Sequence, residues 1–260
     1  MPITDVASLR DLHAARRVHA NAALLAGGGR ALLMQLAHPQ VAQGVAEHSD
    51  FARDPIARLL RTLRLTLALV YGDEADVARA LDAINGVHRR VAGPGYAASD
   101  PALLLWVHAT LIDTSLRLHA LLVRPLTASE AASYYEDMQR IGEALGVPRD
   151  AFPPDVASFH AYVSTMNATL QVTDTARALA SEIFRRRGAL TPALIAQRQI
   201  TAGLLPESLR RQYGLPWGRN RQTVLNAAAK LSRAVHPYLP RIVRQTPAFL
   251  LPKGARITSH

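Results

Sequence analysis

The sequence predicts an all-α fold, a single-domain multi-helix bundle, and three observations support this prediction. Hydrophobic residues make up 49% of the 260-residue chain, and Ala, Leu and Arg, which favour helices, dominate the composition. Apolar residues recur at helical spacing along almost the whole chain, whereas strand-like alternation between turns is not found. Gly and Pro residues fall between the periodic segments, where helices have to end.

These Gly and Pro residues divide the chain into successive helices. The predicted helices span about 5–26, 29–38, a segment that starts near Pro39, 55–71, 74–92, 101–123, 127–145, 154–167, 172–187, 191–199 and 219–236. Asp54-Pro55 and Asp100-Pro101 each place a capping carboxylate before a proline at the first helical position. We expect one helical domain over residues 1–236, followed by a tail over residues 237–260 that is extended and lies over the body.

Several classes of site are excluded by composition. The chain has no cysteine, which removes disulfides, iron–sulfur clusters and thiolate-ligated haem. The first residues include acids and lack the apolar core of a secretory signal, so we expect a cytoplasmic protein. The apolar segment 101–123 contains His108, Asp113, Arg117 and His119, and is therefore predicted to be a buried core helix rather than a membrane span.

The net charge of +10 raises the question of a nucleic-acid or acidic-membrane partner. The basic residues are mostly arginines spread along the chain, and only Arg185-Arg186-Arg187 forms a run. No aromatic residues interleave that run as a stacking platform. We therefore expect no nucleic-acid binding.

The helix predicted over 74–92 contains the first candidate for chemistry. Val77, Leu81, Ile84 and Val91 form an apolar stripe, and His88 fills the gap in it. Burial keeps an imidazole neutral, which is the form that ligates a metal. Spacing alone equally allows a core histidine that donates a hydrogen bond to a carbonyl. Gly86, one turn away, is unfavourable in a helix and would let a flat ligand approach the backbone.

The preceding helix offers polar groups on one face. Arg58 and Thr62 are four residues apart, with Arg61 beside them, so they can bind an anionic or carbonyl group or can lie in solvent.

His108 sits among apolar residues and can be a ligand or a core group that is already hydrogen-bonded. His13 and His19 lie on a polar helix and are expected to be exposed. His38-Pro39 is interpreted as a helix junction, and His48 as part of a polar turn before the Asp54 cap.

Three motifs give the chain a resemblance to a known family. They are LLMQLAHPQVAQGVAEHSDFARDPIARLLRT over 32–62, VHRRVAG over 87–93 and YAASDPALLLWVHATLIDTSL over 96–116. Together they cover most of residues 25–125, and in their order and spacing they resemble the MpaB/latex clearing protein (rubber oxygenase) catalytic domain family.

The resemblance implies an all-helical fold that encloses a pocket for haem b. It implies that His88 is the proximal iron ligand, with His108 as the second choice, and that Arg58, Arg61 and Thr62 line the distal side. Arg61 stands where the rubber oxygenase branch has lysine. Arginine stays charged and is a poor iron ligand, so we expect Arg61 to steer an anionic group or to stabilise negative charge that develops on bound oxygen.

The implied reaction is oxidative cleavage of a C=C bond with O2 as co-substrate, in an isoprenoid-like or other unsaturated hydrophobic small molecule. The alternative is a protein without catalytic activity. It would be a helical carrier of haem or another apolar ligand, or a basic module that binds nucleic acid or acidic membrane.

Overall fold

The computed structural model confirms the all-α, single-domain fold. It describes residues 9–48, 55–185, 188, 191–255 and 257, without the side chains of residues 55, 56 and 58. Apart from one pair of two-residue strands, the regular structure in these ranges is helical. The predicted Asp54 cap and most of the run at 185–187 lie outside the described residues.

The helices follow one another with short connections. Their bounds are α1 (His13–His19), α2 (Gly28–Leu36), α3 (Pro39–His48), α4 (Pro55–Tyr71), α5 (Glu74–Arg90), α6 (Pro101–Leu118), α7 (Ala128–Ala144), α8 (Val156–Thr169), α9 (Asp174–Ile183), α10 (Thr191–Leu204), α11 (Glu207–Gln212), α12 (Arg219–Val235) and α13 (Arg241–Arg244). The strands β1 (Ala92–Gly93) and β2 (Tyr96–Ala97) pair antiparallel between α5 and α6.

The predicted first helix over 5–26 is wrong in its extent. Within the described residues α1 ends at His19, Asn21 forms an isolated bridge with Gln245, and Ala22–Gly27 is a 3-10 helix. The backbone of Asn21 is extended because it pairs with the tail, and this long-range contact overrides local helix propensity. Residues 5–8 lie outside the described residues.

Two of the three glycines at 27–29 serve close packing rather than a break, whereas a Cβ on Gly28 would meet Leu59 at an ordinary 3.5 Å. A Cβ on Gly27 would lie 2.3 Å from Cδ1 of Leu118, and one on Gly29 would lie 2.1 Å from Oγ1 of Thr201. Helix α2 starts at Gly28, so the chain turns into a helix where a break was predicted. Only glycine lets this segment approach α6 and α10 so closely.

The core is built around α6. Trp106 is completely buried, and its indole Nε1 donates a hydrogen bond to the carbonyl of Met34 in α2 at 3.2 Å. The buried face of α6 meets α2, α7 and α8, which explains why this apolar segment is a core helix. The predicted 101–123 helix is α-helical to Leu118, and His119–Val123 continues as one π-helical turn. No helix in the described part of the chain is long and apolar enough to cross a membrane.

Helix α1 begins without a side-chain cap of its own. The residue before it is Leu12, and the carboxylate of Asp137 in α7 supplies the missing acceptor. Its Oδ2 accepts hydrogen bonds from the backbone N–H groups of Ala14 and Ala15 at 2.8 and 2.9 Å. A buried acid on one helix thus caps another helix 122 residues away in sequence.

The tail contains three helical turns and so is not wholly extended. These turns are His236–Tyr238, α13 and Ala248–Leu250. Between them Thr246 is buried, and its N–H and hydroxyl donate to the carbonyls of Ala20 and His19 at 2.8 and 2.6 Å. Leu250 is buried as well. The sequence analysis missed α11 and the strand pair because each is too short for a periodic pattern.

Candidate functional site

Helices α4 and α5 form a hairpin that carries the predicted ligand and its predicted distal partners. Gly72 and Asp73 connect the two helices, which pack against each other along their length. Arg58 lies 14 residues before Gly72 and His88 lies 15 residues after Asp73. Because both helices rise about 1.5 Å per residue, the backbones of Arg58 and His88 lie at the same level, near the open end of the hairpin. Arg61 and Thr62 lie about one helical turn closer to the connection.

His88 is a half-buried imidazole on α5. Its Nδ1 is buried and has no hydrogen-bond partner among the described residues. Burial lowers the pKa of His88 below the ordinary histidine value, so the ring is neutral near pH 7. The interpretation of His88 as a core group bonded to a carbonyl therefore finds no support in the described part of the chain. Its Nδ1 has no described partner and can bind a ligand.

The distal candidates lie on α4. Arg61 and Thr62 are both exposed, and the carbonyl of Thr62 accepts a bond from the hydroxyl of Thr66 at 3.0 Å. The side chain of Arg58 lies outside the described part, so only its position on the helix is known. Their positions along α4 put the three residues in the half of that helix farthest from the connection, and no described contact joins Arg61 or Thr62 to His88.

The open end of this hairpin is loosely packed. Among the described side chains of α4, none before Leu67 is buried, and Leu60 and Leu63 are only half-buried. On α5, Val87 is 48% exposed beside His88, although Val77 and Leu81 near the other end are buried. Partly exposed apolar side chains beside a histidine without a hydrogen-bond partner are typical of a surface that binds an apolar group.

Gly86 is buried, yet a side chain at this position would meet no tight contact. An added Cβ would lie 3.6 Å from Nη1 of Arg90 and 3.8 Å from Nη2 of Arg89, both at the ends of flexible side chains. The protein packing therefore does not explain the glycine. The room over Gly86 remains compatible with a flat ligand close to the helix backbone.

His108 is a core histidine that is already hydrogen-bonded. It is 4% exposed, and its Nε2 lies 2.6 Å from the carbonyl oxygen of Met138 on α7. Burial lowers its pKa to about 4, while the carbonyl partly opposes this shift. The Nε2 donates its proton to that carbonyl, and the ring also packs edge-on to Phe152. The geometry is that of a group that holds α6 to α7.

His19 is not exposed as predicted. It is half-buried against Tyr134, with 3.3 Å between its Nε2 and the tyrosine hydroxyl oxygen. Burial, and secondarily the nearby His108, lower the pKa of His19 to about 4. The helix pattern could not show this, because the neighbour comes from α7, 115 residues further along the chain.

The first of the three family motifs, residues 32–62, contacts the strand pair. His38 lies at the junction of α2 and α3, as predicted, and His48 is the last residue of α3. The hydroxyl of Tyr96 in β2 donates to the carboxylate of Glu47, and the ring of Tyr96 packs edge-on to that of His48. These residues fix α3 to the segment before α6, which is a structural role.

Sequence reasoning missed a buried ion pair. Arg30, 2% exposed, donates to Asp113 at 2.5 Å, to the hydroxyl of Thr114 at 2.6 Å and to the carbonyl of Leu204 at 2.9 Å. It borders a cavity of about 400 Å³, and a second cavity of about 290 Å³ lies beside Gly72. Neither cavity is lined by His88. No group of three or more His, Cys, Asp or Glu side chains in the described ranges could hold a metal ion on its own.

Comparisons with known proteins give the family of this chain. Residues 16–234 match the family model described as "ER-bound oxygenase mpaB/B'/Rubber oxygenase, catalytic domain". Uncharacterized proteins of Mycobacterium bovis and Mycobacterium tuberculosis are each 30% identical over 204 residues, which cover 74% of this chain and 80% of the relative. No solved structure gives a significant match. The chain belongs to the family of oxygenase catalytic domains that includes MpaB and the rubber oxygenases.

Proposed function

We propose that this oxygenase depends on haem b and cleaves a C=C bond in a hydrophobic, unsaturated small molecule. The observation that carries the proposal is the state of His88. This residue is neutral, half-buried and without a hydrogen-bond partner in the described part, on a helix whose apolar neighbours lack cover. A location in the cytoplasm stays a prediction from the sequence.

The residues present fit a haem. A b-type haem needs a protein ligand to its iron and a mostly apolar surface; histidine is a common ligand, and cysteine is not available in this chain. His88 supplies the nitrogen, whereas the Nε2 of His108 is taken by the carbonyl of Met138. Leu60, Leu63 and Val87 supply apolar surface that is not yet fully covered. We therefore favour His88 over His108 as the proximal ligand.

When bound, haem would supply the activation of O2 that no side chain can perform. The chain's own contribution is positioning and electrostatics. The cationic guanidinium of Arg61 can stabilise negative charge that develops near it. The hydroxyl of Thr62 can donate a hydrogen bond to the same region, and the half-buried leucines of α4 can exclude water from an apolar substrate.

Absorption spectroscopy tests the cofactor directly. Purified protein titrated with haemin is expected to show a Soret band that saturates at one haem per chain, and His88→Ala is expected to abolish it. His13→Ala, at an exposed position on α1, is the matched control and should bind haem like the native protein. Colourless protein that haemin cannot reconstitute, or His88→Ala protein with unchanged haem binding, would contradict the proposal.

Hydrogen exchange gives an independent readout without turnover. Haemin is expected to slow amide exchange in residues 57–66 of α4 and 83–90 of α5, because their side chains gain cover. The buried centre of α6 should be unaffected. Protection that appears elsewhere, with these two segments unchanged, would place the cofactor at another site.

Oxygen consumption tests the reaction. With squalene as a probe polyene, the reconstituted protein is expected to consume O2 and to release carbonyl products that react with dinitrophenylhydrazine. Squalane, the saturated analogue, should give neither signal. Haem binding without oxygen-dependent attack on any alkene would favour a haem carrier instead.

The arginine at position 61 can be tested by restoring the lysine of the rubber oxygenase branch. Arg61→Lys introduces an amine that can ligate iron, so the resting spectrum is expected to move towards a six-coordinate form. Arg61→Gln should leave that spectrum unchanged and lower the rate of O2 consumption by about ten-fold or more, the scale of losing one electrostatic contact. Identical spectra and rates in all three proteins would remove Arg61 from the distal side.

A further inference from the structure

The positive charge of this chain is concentrated at one end of the sequence, contrary to the even spread expected above. Residues 208–260 contain ten Lys and Arg residues and no Asp or Glu. Ten is also the net charge of the whole chain, so residues 1–207 carry equal numbers of acidic and basic side chains. The excess charge therefore belongs to residues 208–260, and eight of these ten basic residues lie on α12 and in the tail.

Large exposed apolar side chains are concentrated in the same segment. Ten large hydrophobic residues of the described part are exposed, and seven of them lie between residues 224 and 249. Tyr238 and Ile242 are 87% and 88% exposed, and Phe249 is 68% exposed. The rest of the described surface contributes only Leu59, Val87 and Ile195 to this set. This number of exposed large apolar side chains in one segment indicates that the segment binds a partner.

Helix α12 shows how the two properties combine. One face packs on the body, where Ala229 is buried and the hydroxyl of Ser232 donates to the carbonyl of Leu122 at 2.8 Å. Val224, Leu231 and Val235 follow each other at spacings of seven and four, and therefore share the opposite face, where they are 68%, 64% and 38% exposed. The helix thus has a second apolar stripe that points away from the protein.

Exposed basic side chains lie on the same helix and in the tail. Arg219, Arg221, Lys230, Arg233 and Arg241 are all exposed, and none of them forms an ion pair with a described residue. Their charge is left for an external partner. A helix with an outward apolar stripe and exposed cations that form no ion pair has the composition of a helix that lies in the interface of an anionic lipid bilayer.

We propose that residues 219–249 form a docking surface for the headgroup region of an anionic membrane. Charge complementarity selects this occupant, because a second copy of the chain would bring its own ten cations against the first. Nucleic acid would use the arginines but would leave Leu231, Ile242 and Phe249 without apolar contact. A bilayer gives contacts to both kinds of side chain. The lipid phosphates contact the basic residues, and the apolar side chains enter the boundary between headgroups and acyl chains. The proposal does not depend on haem or on the reaction.

Vesicle sedimentation tests the proposal. Full-length protein is expected to sediment with phosphatidylcholine vesicles that contain phosphatidylglycerol and to stay in solution with pure phosphatidylcholine. In the charge variant Arg219→Gln/Lys230→Gln/Arg241→Gln, partition should fall on the order of a hundred-fold at low salt, since each basic residue near an anionic surface is worth about five-fold. In the apolar variant Leu231→Ser/Ile242→Ser/Phe249→Ser it should fall at least about ten-fold.

Matched variants separate this surface from a general effect of charge or hydrophobicity. Arg17→Gln/Arg79→Gln/Arg149→Gln removes the same charge from the body, and Ile195→Ser removes an apolar side chain that is 47% exposed from α10. Both should sediment like the native protein, and all variants should melt at the native temperature. The proposal is overturned by no binding to anionic vesicles, by full binding of the apolar variant, or by equal losses in the matched variants. Tighter binding to duplex DNA than to vesicles would overturn it as well.

Discussion

Gly142 shows how closely the structure is packed where α7 crosses α6. A Cβ at this position would lie 2.5 Å from Cζ of Phe152 and 3.0 Å from Cδ2 of His108. Both rings are buried and rigid, so they cannot move aside without disturbing the bond between His108 and Met138. Gly142→Ala is therefore expected to lower the free energy of unfolding by about 1–3 kcal/mol, as overpacking does, measured by chemical denaturation.

Gly86→Ala on α5 is the control for this substitution. Its added methyl group meets nothing closer than 3.6 Å, and alanine favours a helix interior by about 1 kcal/mol. The cofactor-free protein should become more stable by up to that amount. A Gly142→Ala protein as stable as Gly86→Ala would show that the α6–α7 contact is not tight.

His19 and His108 predict a loss of stability in mild acid. Burial lowers the pKa of each to about 4, against an ordinary value near 6.5 in the unfolded chain. Between these values the unfolded chain binds more protons than the folded one. The free energy of unfolding therefore has its full value above pH 6.5 and falls as the pH drops towards 4.

Denaturant midpoints measured between pH 7 and 4 check this dependence. The His108→Gln protein, which cannot take up the proton, should show a shallower fall than the native protein. The His13→Gln protein, altered at an exposed position, should follow the native curve. A midpoint that does not change over this range would contradict the assignment of both rings as buried and neutral.

At the scale of elements, the start of α1 depends on a residue of α7. Asp137→Ala removes the acceptor for the N–H groups of Ala14 and Ala15 and leaves them unsatisfied in a buried place. We expect the free energy of unfolding to fall by about 1–3 kcal/mol, measured by urea denaturation. Asp174→Ala, which removes an exposed acid from the first turn of α9, should change it by less than about 0.5 kcal/mol. Equal effects would mean that the cap does not stabilise the fold.

Helix bounds could be predicted where local signals set them. Helices α4 and α6 begin at a proline, and α5 and α6 follow a capping aspartate. Their ends fall within two residues of the expected positions, apart from the π-helical turn that ends the α6 segment. Helix α1 could not be predicted in this way because Asn21 pairs with Gln245 and Asp137 caps from another helix. Contacts between residues more than 100 positions apart leave no periodic pattern in the sequence.

At the scale of the whole molecule, the tail is part of the fold rather than an appendage. Leu250 is 3% exposed, whereas its neighbour Phe249 is 68% exposed. Leu250→Ala is expected to lower the free energy of unfolding by about 2–3 kcal/mol. Phe249→Ala should change it by less than about 0.5 kcal/mol, although it removes more carbon atoms. Thermal and urea unfolding of the two variants check this order, and a reversed order would mean that the tail does not pack as described.

The candidate site could be predicted only in part. The place of His88 in an apolar stripe is visible in the sequence, and so is the shared face of Arg58 and Thr62. That His88 lacks a partner among the described residues, while His108 bonds to a carbonyl 30 residues away, depends on how α6 meets α7. The concentration of charge in residues 208–260 was visible in the sequence from the start, but summing charge over the whole chain hid it.

The balance of charge in residues 1–207 has a consequence for how the molecule moves. A chain whose residues 1–207 are neutral in sum and whose residues 208–260 carry ten positive charges has a large electric dipole moment. Near an anionic surface this dipole exerts a torque, so the molecule rotates before it makes contact. The torque acts within a Debye length, about 10 Å at 0.1 M salt and about 30 Å at 0.01 M. Dilute buffer therefore widens the zone in which each encounter becomes oriented, and concentrated salt makes the encounters random.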